Sequence, residues 1–189
     1  MAKDRMPPIP LERMNELQKK YAMEIIAGPR GALYGPFIPL IRSPELMDRV
    51  QQLGEYLRFR SAVGRRLTEL AILVTARHWR QEVEWAIHAP IAVDVGIKPE
   101  VIHAIADGRT PSGMADDEET VYRFCKELHQ DKNVSDACYE KTKEKFGEPG
   151  VIDLMGICGY YALLSMVMNG ARTSVPDGLP DPPFRMAGQ

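Results

Sequence analysis

The chain has 189 residues, of which 44% are hydrophobic and 26% are charged, and its formal net charge is −2. This composition fits one folded domain and excludes an intrinsically disordered chain. The 24 basic and 26 acidic residues are spread along the sequence, so we expect neither a nucleic-acid-binding surface nor a polybasic membrane anchor.

The termini differ from the middle of the chain. Residues 1–10 are rich in proline and predict an extended arm, and residues 11–174 predict a single helical domain. Residues 175–189 hold four prolines and two glycines and predict an extended tail. The first ten residues lack the apolar stretch of a signal peptide, which favours a cytoplasmic protein.

Apolar residues recur at helical spacing over residues 11–26, which predicts the first helix. Residues 31–40 follow, with Tyr34 and Phe37 among glycines and prolines, and predict an ordered loop rather than a helix. These two aromatic residues could form the roof of a pocket, although packing explains them equally well. Ser43 and Pro44 predict the N-cap and first residue of the next helix.

Residues 67–96 carry a longer helical pattern that a turn at residues 79–82 could fold back on itself. Pro90 has no backbone N–H, so we expect a kink or break in the helix close to it. Further along, Asp116 with Glu119 predicts a capping box at the start of another helix.

A helix capped by Ser135 is predicted to end near Gly147, and residues 154–171 then carry no charge. This uncharged stretch approaches the length of a membrane span, but glycines, an asparagine and two tyrosines interrupt it. We expect a buried helix at a domain centre or an oligomer interface. We therefore predict an all-α, single-domain, orthogonal bundle of roughly eight helices that forms oligomers.

The three cysteines form no CxxC motif, which excludes a zinc knuckle and a dithiol redox site. We interpret Cys125, Cys138 and Cys158 as buried, unreactive thiols of a reducing compartment. His103 and His129 lie apart from any motif, and we interpret both as surface residues.

Glu84 and His88 are four residues apart, so on a helix their side chains share a face. A carboxylate beside an imidazole favours the imidazolium and fixes which ring nitrogen donates. Glu69 can reach this pair only if the chain folds back. In the alternative interpretation, Glu84 and His88 form a solvated surface pair and Glu69 is an ordinary acid near a helix start.

Residues 69–96, with the motifs GPRGALYGPFIPL and FGEPGVIDLMGICGYYALLSMVMNG, resemble the carboxymuconolactone decarboxylase and alkyl hydroperoxidase D-like superfamily. In its peroxidase branch a glutamate is followed by a CxxC pair and a histidine. Counted from Glu69, the two cysteine positions hold Gln81 and Glu84, and the histidine position holds His88. The chain therefore lacks the thiolate that peroxide reduction requires and is more similar to the decarboxylase branch.

The resemblance implies a cofactor-free lyase that decarboxylates a small unsaturated or lactone carboxylic acid. His88, Glu84 and Glu69 would be its acid–base groups. The expected substrate-binding residues are Gln81, His78, Tyr34 and Phe37. Candidates for anchoring the substrate carboxylate are Arg65, Arg66, Arg77 and Arg80.

A metal site at the acid–base groups is disfavoured, because the set contains a single histidine and the resemblance implies no metal. The family also implies a homo-oligomer, a trimer or hexamer, without nucleic-acid or membrane partners. Two alternatives stay open: an isomerase or hydrolase that uses the same groups, and a non-catalytic oligomeric binding protein. An enzyme should hold His88 in a closed, partly apolar pocket beside a carboxylate of raised pKa.

Overall fold

The structure is a computed structural model that describes residues 4–184, and within this range it contains eight α-helices and no strand. This confirms the all-α prediction. The outer ends of the predicted arm and tail, residues 1–3 and 185–189, lie outside the described residues. The helices are α1 (Glu16–Ala27), α2 (Phe37–Leu40), α3 (Pro44–Phe59), α4 (Arg65–Trp79), α5 (Glu82–Asp94), α6 (Pro99–Ala106), α7 (Asp116–Gln130) and α8 (Asp136–Ala171).

Helix α4 lies at the centre of the bundle and packs against α5, α7 and α8. Every residue of α4 from Leu67 to Ala76 is buried, including the one carboxylate in that stretch, Glu69. A helix buried on all sides is expected to be apolar all round. A charged side chain in this position therefore needs partners within the protein.

Helix α8 is interrupted at Gly147, where the backbone is non-helical, with φ of 67° and ψ of 177°. This is where the sequence predicts that the helix capped by Ser135 ends. Its second half is long and apolar enough to cross a membrane, and 56% of that apolar window is buried within the protein. It packs against α3, α4 and α7, which is the position of a core helix.

The structure differs from expectation at two segments that contain prolines. The predicted loop at residues 31–40 contains the short helix α2, because Pro36, with φ of −64°, presets the helical backbone where no N–H is needed. Helix α5 does not break at Pro90 but continues to Asp94. Pro90 is exposed, and packing of the opposite face against α4 holds the helix across the missing hydrogen bond.

Two helix starts differ from their predictions by a few residues. The carboxylate of Glu118, rather than Glu119, accepts the backbone N–H of Ala115 at 2.9 Å at the start of α7. The first predicted helix is divided into a 3-10 turn and α1, because Asn15 and Gln18 form a reciprocal capping box that begins a new helix.

Candidate functional site

The predicted turn between α4 and α5 brings the site together. Arg80 takes a left-handed conformation, with φ of 49°, and Gln81 is the N-cap of α5. The side-chain oxygen of Gln81 accepts the backbone N–H groups of Val83 at 2.6 Å and Glu84 at 3.2 Å. This reversal of the chain places the first turns of α5 beside the buried carboxylate of α4.

Glu69, Glu84 and His88 lie together in one buried cluster. Glu69 Oε2 is 2.5 Å from His88 Nδ1, and Glu84 Oε2 is 3.3 Å from His88 Nε2. The exposed fractions of the three residues are 0%, 2% and 3%. The alternative of a solvated surface pair is therefore wrong, since both carboxylates and the imidazole are removed from water.

Arg58 of α3 joins the cluster, which the sequence interpretation missed. Its Nε lies 3.7 Å from Glu69 Oε1, and its side chain is only 10% exposed. Arg58 follows Gly54 by four residues and so continues the buried stripe of α3, which also contains Val50 and Leu57. An arginine on such a stripe is the signal that could have identified it.

The charges in the cluster support one another. Burial would raise the pKa of Glu69, but the positive charges of His88 and Arg58 outweigh it and hold that pKa below its ordinary value. Burial would lower the pKa of His88, but Glu69 and Glu84 outweigh it and hold the pKa above its ordinary value. The cluster thus favours the imidazolium form of His88, whose Nδ1–H donates to Glu69 and whose Nε2 lies within ion-pair distance of Glu84.

The expected carboxylate of raised pKa is not Glu69, since its cationic neighbours lower the pKa of that group. In the pair of Glu69 and His88, these shifts favour the ionised carboxylate with a protonated imidazole over the neutral carboxylic acid with a neutral imidazole. The proton available in it therefore resides on His88.

His88 borders a small cavity of about 20 Å³. The wall contains Arg30, Tyr34, Pro36, Phe37, Arg58, Glu84, Ile87, His88, Tyr160, Tyr161 and Leu164. Tyr34 and Phe37 lie in this wall, where the sequence interpretation places them. The Tyr161 ring meets the His88 ring edge-on, with 5.3 Å between their centroids. A space of this size holds about one water molecule.

Three buried polar atoms of the cluster have no hydrogen-bond partner among the described residues: Arg58 Nε, Glu69 Oε1 and Glu84 Oε1. Polar atoms that are buried without a partner cost about 1–3 kcal/mol each, and charged ones cost more. Native proteins contain few such atoms away from binding and catalytic sites. Arg58 and Glu84 line the cavity, and Arg58 Nε lies 3.7 Å from Glu69 Oε1, so these atoms make the cavity the candidate site for a polar ligand.

Gln81 lies outside the cavity wall, contrary to its predicted role in substrate binding. Its side chain is fully buried, and its Nε2 donates to Asn169 Oδ1 at 2.9 Å. Asn169 in turn donates to the carbonyl oxygen of Trp79 at 3.0 Å. Gln81 thus ties the turn between α4 and α5 to α8, because an uncharged amide can both cap a helix and donate.

His78 also lies outside the cavity wall, since it follows Glu69 by nine residues and projects from the other end of α4. It is exposed and stacks on His129, with 4.8 Å between the ring centroids. The prediction of a surface His129 is wrong: this residue is buried, and its Nε2 lies 2.8 Å from Thr75 Oγ1. His103 is exposed, as expected.

The predicted arginine anchors do not line the cavity. Arg66 forms ion pairs with Asp117 and Glu118 instead, and Arg77 and Arg80 lie in a separate cleft. Arg58 and Arg30 take their place in the cavity wall. The three cysteines are free and buried, as predicted, and none of them lines the cavity.

Residues 44–127 match the model of the carboxymuconolactone decarboxylase family. No curated protein sequence matches the chain. The match covers the whole of α3, α4, α5 and α6 and therefore includes Arg58, Glu69, Glu84 and His88.

Solved structures share the fold. A peroxidase-related protein with an alkylhydroperoxidase AhpD core from Ralstonia eutropha JMP134 is 16% identical, with a TM-score of 0.76 over 92% of each chain. A peroxidase-related protein from Silicibacter sp. TM1040 is 10% identical, with a TM-score of 0.74 over 93% of this chain and 94% of the other. A protein of unknown function from Agrobacterium tumefaciens is 15% identical, with a TM-score of 0.64 over 72% of this chain and 94% of the other.

Proposed function

We propose that the chain is a cofactor-free carboxy-lyase with His88 as its proton donor, an activity suggested by the match of residues 44–127 to the carboxymuconolactone decarboxylase family model. Its substrate is a small unsaturated or lactone carboxylic acid. One observation carries this proposal: a buried imidazole lies between two carboxylates at the edge of a small cavity. A cation held out of water with a proton on each nitrogen is suited to deliver one of them to carbon.

The reaction requires a place for electrons and a source for one proton. The bond between the substrate carbon and its carboxylate breaks, CO₂ leaves, and the electron pair passes through the conjugated system to a carbonyl oxygen. Arg30 and Arg58 are the cations in the cavity wall that can stabilise this enolate oxygen. His88 then transfers a proton to carbon and regains one from water, so that one proton is consumed for each CO₂ released.

The proton comes from Nε2 of His88. Its Nδ1 is held by the 2.5 Å hydrogen bond to Glu69, whereas the contact of Nε2 with Glu84 is longer, at 3.3 Å. The second oxygen of Glu84 has no partner among the described residues. Glu69 is therefore the positioning residue, and the side of the ring that faces Glu84 is the side that meets substrate.

The same charges orient the substrate. A departing carboxylate bound to an arginine would be stabilised before reaction, which would slow its loss. We therefore place that carboxylate against Glu84 and the apolar side chains of Ile87 and Leu164, and the carbonyl oxygen against Arg58. This arrangement favours the transition state, in which charge has moved from the carboxylate to the carbonyl oxygen.

Substrate binding requires the cavity to enlarge, because ligand pockets typically measure about 300–1,000 Å³. The wall segment that carries Tyr34 and Phe37 begins after Gly31 and contains Gly35, both with positive φ, of 71° and 56°. We propose that this segment moves outward to admit substrate. Glycines at these positions take the left-handed conformation without the strain that another residue would meet.

A second candidate is a non-catalytic binding protein on the same scaffold, since a cavity of about 20 Å³ is too small to hold a substrate without rearrangement. An isomerase or hydrolase acting on a related acid would use the same groups. Thiol peroxidase chemistry is not proposed, because Gln81 and Glu84 stand at the cysteine positions of that branch, even though two of the similar structures are named peroxidase-related.

The test is to measure CO₂ release from a panel of small unsaturated and lactone acids with the wild type, His88→Gln and His103→Gln. His103 is exposed and serves as the matched control. We expect turnover by the wild type and the control, and a loss of about 10²–10⁴-fold in His88→Gln, the usual contribution of general acid catalysis.

Each of the other outcomes selects an alternative. Unchanged turnover in His88→Gln overturns the assignment of the proton donor. Product formation without CO₂ selects the isomerase or hydrolase. Saturable binding of these acids without any product selects the binding protein.

A further inference from the structure

A second cleft, of about 280 Å³, lies where the C-terminal ends of α4, α6 and α7 come together. It shares no lining residue with the His88 cavity. Four cationic side chains line it: Arg77, Arg80, Arg109 and Lys126. Two imidazoles, His78 and His129, complete its polar surface, and no acidic side chain is among the described residues that line it.

Some of this positive charge is already used within the protein. Arg77 Nε donates to the carbonyl oxygen of Ala106 at 2.7 Å, and Arg109 pairs with Asp107 at 2.7 Å. Lys132, which lies close to His78, donates to the carbonyl oxygen of His129. The contacts of Arg77 and Lys132 satisfy free carbonyl groups at the ends of α6 and α7, as basic residues near helix C-termini commonly do.

Arg80 and Lys126 remain available. Within residues 4–184 neither takes part in an ion pair. The Lys126 ammonium contacts only uncharged groups there: Thr110 Oγ1 at 3.3 Å and the Tyr122 ring, whose centroid is 5.6 Å away. Arg80 is exposed and Lys126 is half-buried, so both can turn toward a ligand in the cleft. Arg77 also keeps the terminal nitrogens of its guanidinium for a ligand, because its contact with Ala106 uses Nε alone.

The helix ends cannot account for so much positive charge. A helix C-terminus carries about half a negative charge, so three of them contribute about −1.5, and Asp107 adds one more. The cations of the cleft, with Lys132, number five. An excess of more than two positive charges therefore stays in a concave surface, where field lines concentrate and anions are attracted.

The His78 imidazole lies where its pKa can report charge that enters the cleft. The rings of His78 and His129 stack at 4.8 Å with 17° between their planes. Burial, and then the charges of His129 and Lys132, hold the pKa of His78 below its ordinary value. An anion in the cleft would oppose these charges, so His78 reports binding directly.

We propose that this cleft binds a small, multiply charged anion, and that the ligand class it fits is the phosphate or pyrophosphate group of a small molecule. A single carboxylate would leave most of the excess charge uncompensated. The guanidinium groups of Arg77 and Arg80 offer paired N–H donors that match phosphate oxygens, and Lys126 adds a mobile point charge.

The test is to titrate the protein with inorganic pyrophosphate, orthophosphate and succinate at constant ionic strength. Calorimetry gives the affinity, and the NMR signals of the His78 ring, assigned with His78→Gln, give its pKa. The test variant is Arg80→Gln/Lys126→Gln, in which both changes lie at the accessible side of the cleft. The matched control is Lys20→Gln/Arg49→Gln, which removes the same charge from exposed sites on α1 and α3.

We expect saturable 1:1 binding of pyrophosphate, a rise in the pKa of His78 on binding, and affinity at least about tenfold weaker in the test variant. The control should bind within about twofold of the wild type, since long-range charge effects are screened by salt. Absence of saturable binding, or equal weakening in the control, would overturn the site. Succinate binding as tightly as pyrophosphate would overturn the phosphate class.

Discussion

Glu69 Oε2 lies 2.5 Å from His88 Nδ1, although the two residues are 19 positions apart in the chain. The contact joins the buried face of α4 to the buried face of α5, and it depends on the chain reversal at Arg80 and Gln81. Stability of the bundle and protonation of the candidate acid are therefore coupled through one hydrogen bond, and both can be measured.

We predict that Glu69→Gln lowers the free energy of unfolding by about 3–5 kcal/mol, the usual cost of removing one partner from a buried ion pair. The substitution leaves the positive charges of His88 and Arg58 without their shared carboxylate. Urea unfolding measures the change. In the control, Glu16→Gln, the carboxylate is 93% exposed and its one ion pair within residues 4–184 is with Lys19, so its loss should cost less than about 1 kcal/mol. A similarly small effect of Glu69→Gln would contradict the cluster.

The same pair predicts a pH window for stability. The pKa of Glu69 is lowered in the folded protein, so its contribution is full above the ordinary value of 4.5 and is lost as the pH falls through the lowered value. The pKa of His88 is raised, so its contribution is full below the ordinary value of 6.5 and is lost as the pH rises through the raised value. The stability difference between the wild type and Glu69→Gln should therefore be largest between the two ordinary pKa values, from pH 4.5 to pH 6.5. A difference that stays constant with pH would refute the coupling.

Gly54 sets the distance between α3 and α8. A Cβ atom on Gly54 would collide with the ring and hydroxyl of Tyr160, which lines the His88 cavity. We predict that Gly54→Ala lowers the free energy of unfolding by about 1–3 kcal/mol, as overpacking does, and impairs substrate binding. The control is Gly170→Ala in α8, where a Cβ meets nothing within 4 Å, and it should raise stability by up to about 1 kcal/mol. Equal effects of the two variants in thermal unfolding would show that Tyr160 is free to move.

Substitution of Gln81 distinguishes a structural role of this residue from a role in substrate binding. We predict that Gln81→Ala lowers stability by about 1–3 kcal/mol, because it removes the cap of α5 and leaves buried N–H groups unpaired, while KM stays near the wild-type value. Gln52→Ala, an exposed change on α3, should stay within about 0.5 kcal/mol. A large rise in KM with unchanged stability would return Gln81 to the substrate-binding residues.

Sequence periodicity was sufficient for most of the helices and for the turn that brings α4 and α5 together, because buried faces recur at the helical period. It could not place Glu69 beside His88, since their contact is long-range in sequence and only the family resemblance indicated it. Arg58 and Arg30 were missed for the same reason: each reaches the cavity from a different element, and tertiary packing decides which of the many arginines does so.

His129 shows how local composition misleads. It stands in the polar sequence KELHQD, which favours a surface position, yet it follows Cys125 by four residues on the buried stripe of α7. For Gln81 the family resemblance was misleading instead, because it suggested a place in the pocket. The side chain in fact caps the start of α5, and this local requirement decides its orientation. Local structural requirements explain both residues better than composition or analogy.

The ¹⁵N NMR spectrum of the His88 ring tests most directly whether this residue is a buried imidazolium held between two carboxylates. We predict that both ring nitrogens are protonated at neutral pH, that the pKa of His88 lies above 6.5, and that Glu69→Gln lowers it. A neutral ring with a single protonated nitrogen at neutral pH in the wild-type protein would contradict the account.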